Sequence, residues 1–153
     1  MDQLRVPKRR VEVELLLLGA GRQRVALFLA EFSSVHEGHE RLGDLLCGET
    51  EFIPALDPGT GAAVIVRIAC IGAALAGPIE ALDDDAALPT EQEVEVTLLD
   101  GQSLAGVLSF VRPPERSRIV DFLNDAPPFF PLIVGDRVAF INKQRVTRVA
   151  EKT

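Results

Sequence analysis

The chain's only two histidines, His36 and His39, stand three residues apart in His36-Glu37-Gly38-His39-Glu40. Zinc hydrolases place two histidines four apart on one helical face, with a further ligand elsewhere. Here the spacing is one short, Gly38 interrupts the stretch and no third histidine exists. The segment reads as a surface loop, and no metal site is expected. Cys47 and Cys70 are the only cysteines and form no C-x-x-C pair, so free thiols are expected. Neither has a histidine at a spacing typical of a thiolate nucleophile, and there is no G-x-S-x-G elbow. Gly19-Ala20-Gly21 leads into Arg-Gln-Arg, not into the G-K-[ST] of a phosphate loop. Asp83-Asp84-Asp85 lacks the spaced ligands and turn glycine of a calcium loop. Asp44 and Asp121 each follow an arginine by three residues, Arg41 and Arg118, and so read as structural ion pairs. No catalytic constellation emerges: the chain is read as a non-enzyme without a cofactor.

Binding chemistry is what remains. Lys143, Arg145, Arg148 and Lys152 gather near the C-terminus, and Pro127-Pro128-Phe129-Phe130-Pro131 lies a short way upstream. Successive strand residues face opposite sides, so Phe129 and Phe130 cannot both enter one small core. Phe129 aligns with Phe52 and Phe130 with Ile53, and one of each pair must lie outside its own unit. It packs either against the sister unit or against a partner. An apolar anchor beside charge is a common interface design, so Phe129, Phe130, Asn142, Lys143 and Arg145 are the candidate partner-binding residues. Nucleic acid is a poor fit. The net charge is −7, with 23 acidic against 16 basic side chains, and there is no Trp or Tyr on which a base could stack.

These residues need elements to hold them. Residues 41–54, RLGDLLCGETEFIP, and 118–131, RIVDFLNDAPPFFP, share Arg, Asp, Leu, Phe and Pro at identical spacing. Internal repetition of this kind implies a duplicated unit. Val11-Glu12-Val13-Glu14-Leu15 opens the first copy, and Val94-Glu95-Val96-Thr97-Leu98 the second, both with the period of a half-buried strand. Gly19-Ala20-Gly21 and Asp100-Gly101 supply the hairpin turns. In the shared window Leu42, Leu45, Leu46 and Ile119, Phe122, Leu123 form one face of a short helix. A proline-bearing third strand and two closing strands follow, the proline placing its strand at an edge or end. The expected organisation is a first unit at 1–76, an acidic Pro-containing linker at 77–91 and a second unit at 92–153. Apolar residues make up 47% of the chain, enough for a core. No apolar run is long enough to span a bilayer and no signal peptide is evident, so a cytoplasmic protein is expected.

Val94 to Leu108, V-x-V-x-L-x-D-G-x-x-L-x-G-x-L, resembles the opening hairpin of Sm-like and SH3-like small barrels. Ile141-Asn142-Lys143-Gln144-Arg145-Val146 is similar in spacing to the closing I-R-G-x-x-I turn of the Sm family, with Lys143 at the glycine. The resemblance implies a mainly-β protein of two tandem SH3-like/Sm-like β-barrels, each with one short helix, from an internal duplication. The D-F-L-N…F-F-P-L…I-N-K pattern also resembles an uncharacterised bacterial domain. Arg5-Val-Pro-Lys-Arg9 is similar to the R-x-x-x-R element of PilZ domains, which implies a cyclic-dinucleotide site at Arg5, Arg9 and Arg10 as an alternative. A second alternative is Sm-like RNA binding. The leading expectation is a non-catalytic bacterial adaptor or regulatory module that binds another protein, with homo-oligomerisation left open.

Overall fold

The computed structural model of the chain describes residues 8–31, 38, 40–77, 90–110 and 118–152. The chain runs β1 (Lys8–Leu17), β2 (Gly21–Ala30), α1 (Leu42–Leu46), β3 (Phe52–Leu56), β4 (Ala63–Arg67), a 3₁₀ turn (Ile68–Cys70) and β5 (Ile71–Ala76). It continues with β6 (Thr90–Leu98), β7 (Ser103–Phe110), α2 (Ile119–Asp125), β8 (Phe129–Val134), β9 (Arg137–Asn142), a second 3₁₀ turn (Lys143–Arg145) and β10 (Val146–Glu151). The same order of elements therefore occurs twice. The turns form where glycine permits: Gly19, Gly21 and Gly101 all have positive φ. The two closing strands expected for each unit are β4 and β5 in the first half and β9 and β10 in the second, each pair separated by a 3₁₀ turn.

All ten strands belong to one antiparallel sheet, in the order β10-β6-β7-β8-β9-β5-β1-β2-β3-β4. This corrects the expectation of two closed barrels. The outer edge of β9 pairs with β5 of the first half, Ala73 facing Ile141 and Leu75 facing Ala139, so neither half closes on itself. Within each half the pairing is sparse at one crossing. β3 pairs with β2 only beyond Pro54, at Ala55 and Leu56, and β8 meets β7 in register only at Val107 and Ile133. At that crossing a Cβ on Gly106 would run into the Ile133 carbonyl oxygen, which is why the strand carries glycine.

The register slips once in each half. β5 skips Gly72 opposite Leu16 and Leu17, and β10 skips Thr147 opposite Thr97 and Leu98. Counted from these slips, Val13, Leu15 and Leu17 hold the places of Val94, Val96 and Leu98, so the alignment of Val11 with Val94 moves by two residues. An even slip keeps every side chain on its face.

Two cores result, and they share strands. Val13, Leu15, Leu27, Leu42 and Leu46 anchor the first, while Val94, Val96, Leu108, Ile119 and Leu132 anchor the second. At the middle of the sheet neighbours along a strand part company: Leu15 enters the first core and Leu16 the second, Ala74 the first and Ala73 the second. Every residue of β5 is buried as a consequence. The helix faces pack as read from sequence, with Leu42, Leu46 and Ile119 buried and Phe122 stacked on Phe110 at 5.0 Å. Among the described residues no helix is long and apolar enough to cross a membrane.

A Gly to Ala change inside a strand ordinarily gains stability. Gly106→Ala is expected to lose about 1–3 kcal/mol instead, the usual cost of overpacking, measured by urea unfolding. A neutral or stabilising result would show that β7 and β8 do not cross as closely as described.

Candidate functional site at the junction and the open ends of the sheet

The five residues selected from sequence come together, at the β5–β9 junction. Phe129 is 4% exposed and lies in the first core, against the half that does not carry it; Phe130 is 0% exposed in the second core. The two rings do face opposite ways, and both are interior. Sister-half burial therefore accounts for Phe129, and neither ring is presented as a surface anchor. Asn142 is also buried. Its Nδ2 donates to the Ile71 carbonyl at 3.0 Å, and its Oδ1 accepts from the Gln144 N–H at 3.1 Å. Lys143 Nζ donates to the carbonyls of Asn124 and Ala126, both at 2.9 Å, a cation on the C-terminal carbonyls of α2. Arg145 Nε reaches across the junction to the Ala69 carbonyl at 2.7 Å. Phe129, Asn142 and Arg145 thus reach across to the first half, whereas Phe130 and Lys143 brace the second half itself.

Two residues of the alternative site, Arg9 and Arg10, are described. Arg9 and Arg10 are neighbours on β1 and face opposite sides of the sheet. Arg9 donates to the Glu40 carbonyl at 2.9 Å, while Arg10 is exposed. Arg5, His36, His39 and Asp83-Asp84-Asp85 lie outside the described residues, as does most of the 77–91 linker. Among the described residues no cluster of three His, Cys, Asp or Glu side chains is placed to hold a metal. The ion pair expected at the second helix is present: Arg118 Nε lies 3.1 Å from Asp121 Oδ2, and this bond holds the guanidinium in its charged form. At the first helix Asp44 Oδ2 accepts from the Arg41 backbone N–H at 2.9 Å. Both cysteines are free thiols, Cys70 exposed and Cys47 half-buried with its Sγ 3.6 Å from the Phe129 carbonyl. Burial pushes the Cys47 thiol above its ordinary pKa, and the Asp44 charge adds to the effect.

Sequence reasoning missed the surface that is open. The sheet ends on β4 and β10, and among the described residues nothing pairs with their outer edges. At the β4 end Ile65 is 76% exposed and Phe52 is 45% exposed, with the Arg67 guanidinium 4.6 Å above the Phe52 ring. At the other end, a cleft of about 600 Å³ lies between α2 and β10, lined by Phe110, Ile119, Val120, Leu123, Arg148 and Val149. Val120 is 51% exposed on its rim. The signal for Phe52 was in the sequence. It is the member of the aligned Phe52/Ile53 pair that leaves its own core, and among the described residues no neighbouring half receives it.

Comparison with family models, with curated proteins and with solved structures finds no match to this chain.

The junction yields two expected outcomes. Asn142→Ala removes the partner of a buried carbonyl and a backbone N–H, and is expected to cost about 2 kcal/mol in urea unfolding; a loss below about 0.5 kcal/mol would remove Asn142 from the account. For the thiols, iodoacetamide is expected to modify Cys70 rapidly and Cys47 only on opening of the fold. Because the folded Cys47 pKa is raised, its contribution to stability is complete below the ordinary thiol pKa and falls as pH rises through the folded value. Equal alkylation rates, or stability independent of alkaline pH in a Cys70→Ser background but not in the Cys47→Ala control, would contradict this.

Proposed function

We propose that this chain is a non-catalytic adaptor or regulatory module, built by duplication of one small SH3-like or Sm-like β unit, that binds protein at the open ends of its sheet. The duplication is supported by the repeated element order, the matching register slips at Gly72 and Thr147, and the equivalent turn bonds from Leu18 N–H to the Cys70 carbonyl and from Leu99 N–H to the Arg145 carbonyl, both 2.9 Å. The observation that carries the binding role is the β4 edge. Among the described residues it combines an outer edge with no strand partner and the exposed Ile65, with the exposed Phe52 beside it on β3. Soluble sheets ordinarily blunt such edges with charge, proline or a covering loop. Strand addition uses the same features, main-chain bonds for affinity and alternate side chains for selectivity.

The test is retention of protein by the immobilised chain, scored for the native sequence and for Phe52→Ser and Ile65→Asp. Both side chains are exposed, so the thermal midpoint should hold while retention falls at least about tenfold, the loss of a central apolar anchor. Unchanged retention by both variants would refute the proposal. So would saturable binding of cyclic di-GMP or of RNA in calorimetric titrations by a chain that retains no protein, which would favour the PilZ-like or Sm-like alternative.

A further inference from the structure

We infer that the partner of the β4 edge is the β10 edge of a second copy of this chain, so that copies join head to tail by repeating the junction each already contains. This rests on the protein-binding reading above and names its partner. The internal junction pairs β9 with β5. β9 is the fourth strand of the second half and β5 the fifth strand of the first. The ends left open are β4, a fourth strand, and β10, a fifth strand. Each free edge is thus the counterpart of an edge that is paired in the interior, and the two are complementary to one another.

The side chains agree with this reading. Inside the chain, Phe129 and Phe140 leave the second half and pack into the first core, where a Cβ on Gly43 of α1 would lie 3.1 Å from Phe140 Cε1. At the open ends Phe52 stands in the place of Phe129, Ile65 in that of Phe140, and Val120 in that of Gly43. The sizes are exchanged: a large knob over glycine at the junction, a smaller knob facing valine between copies. Summed volume is similar, which is what a close-packed contact requires. Leu18, packed against the second core from the first hairpin, has Leu99 as its counterpart. Of the five large apolar residues exposed among the described residues, Phe52, Ile65, Leu99 and Val120 occupy positions whose counterparts line the junction; Ile133 does not.

Register follows from the slips at Gly72 and Thr147. Ala73 opposite Ile141 becomes Arg148 opposite Val66, and Ala74 opposite Phe140 becomes Val149 opposite Ile65. The Ile65 side chain then enters the cleft between α2 and β10, where Val120 and Val149 wait. Two fastenings of the internal junction are not repeated. Arg67 replaces Asn142, and Cys70 replaces Arg145, so neither the Asn142–Ile71 nor the Arg145–Ala69 bond has a counterpart. Association between copies is therefore reversible, unlike the covalently tethered junction. The contact is heterologous, one patch meeting a different one, and propagates until a ring closes.

Sedimentation velocity across a concentration series tests the proposal. The native chain should form species larger than a dimer. Ile65→Asp and Val120→Asp should each be monomeric, with association weakened at least about tenfold and circular dichroism and thermal midpoint unchanged. Mixed in equal amounts, the two variants should recover a single contact and stop at a dimer, because each keeps the end the other lacks. A native chain that is monomeric at every concentration would overturn the inference. So would oligomers that survive both substitutions, or a mixture that stays monomeric. A monomer that still retains another protein through Ile65 would leave the binding role standing and reject only the second copy as its partner.

Discussion

Alternation of side chains along a β-strand is the constraint on which this molecule depends. Each strand has two faces, and in the middle of the sheet both faces are interior. Leu15 and Leu16, Ala73 and Ala74, Phe129 and Phe130 are neighbours in sequence and members of different cores. The β5 sequence Ile-Gly-Ala-Ala-Leu-Ala suits that position. Small residues let β9 approach with Phe140 and leave the larger side chains of β1 to fill both sides. A charge on either face of β5 would be buried without a partner, at a cost of several kcal/mol.

The two halves are consequently not interchangeable. The second half gives Phe129 and Phe140 to its neighbour and receives Leu16, Ala73 and Leu75 in return. The first half keeps Phe52 and Ile65 exposed, and among the described residues no strand lies beyond β4 to cover them. Asn142 marks the same asymmetry in polar form. It is the buried side chain that satisfies an Ile71 carbonyl and closes the turn at Gln144, whereas Arg67 at the equivalent place lies exposed over Phe52. The second half makes its extra aromatics part of an intramolecular contact, while the first half leaves Phe52 and Ile65 exposed.

Local chemistry was legible in the sequence. The glycine turns at Gly19, Gly21 and Gly101 and the apolar faces of both helices follow from residue type and spacing within a few positions. The prolines do not: Pro54 and Pro131 sit inside β3 and β8, and each strand has a neighbour on both sides rather than an edge. The opposition of Phe129 and Phe130 followed from period two alone. What a short window could not carry was the pairing of β5 with β9, about half a chain apart, and with it the open rather than closed sheet. Nor did the repeated window say which copy would bury its extra aromatic. That depends on whether another half stands beside it. The two-residue slip between Val11 and Val13 had a similar origin, since Val-x-Val-x-Leu fits the alternation at either register and only the skip at Gly72 decides.

If the shared strands make the two cores one cooperative unit, native-state hydrogen exchange will show it most directly. Amides of β5 and β9 should be the slowest in the molecule, and the slowest amides of β2 and of β7 should exchange with the same free energy as they do, close to that of global unfolding. Separate exchange free energies for the two halves, with β5 and β9 amides no better protected than those of β3 or β10, would mean that the junction is a contact between two independent domains and would contradict the account.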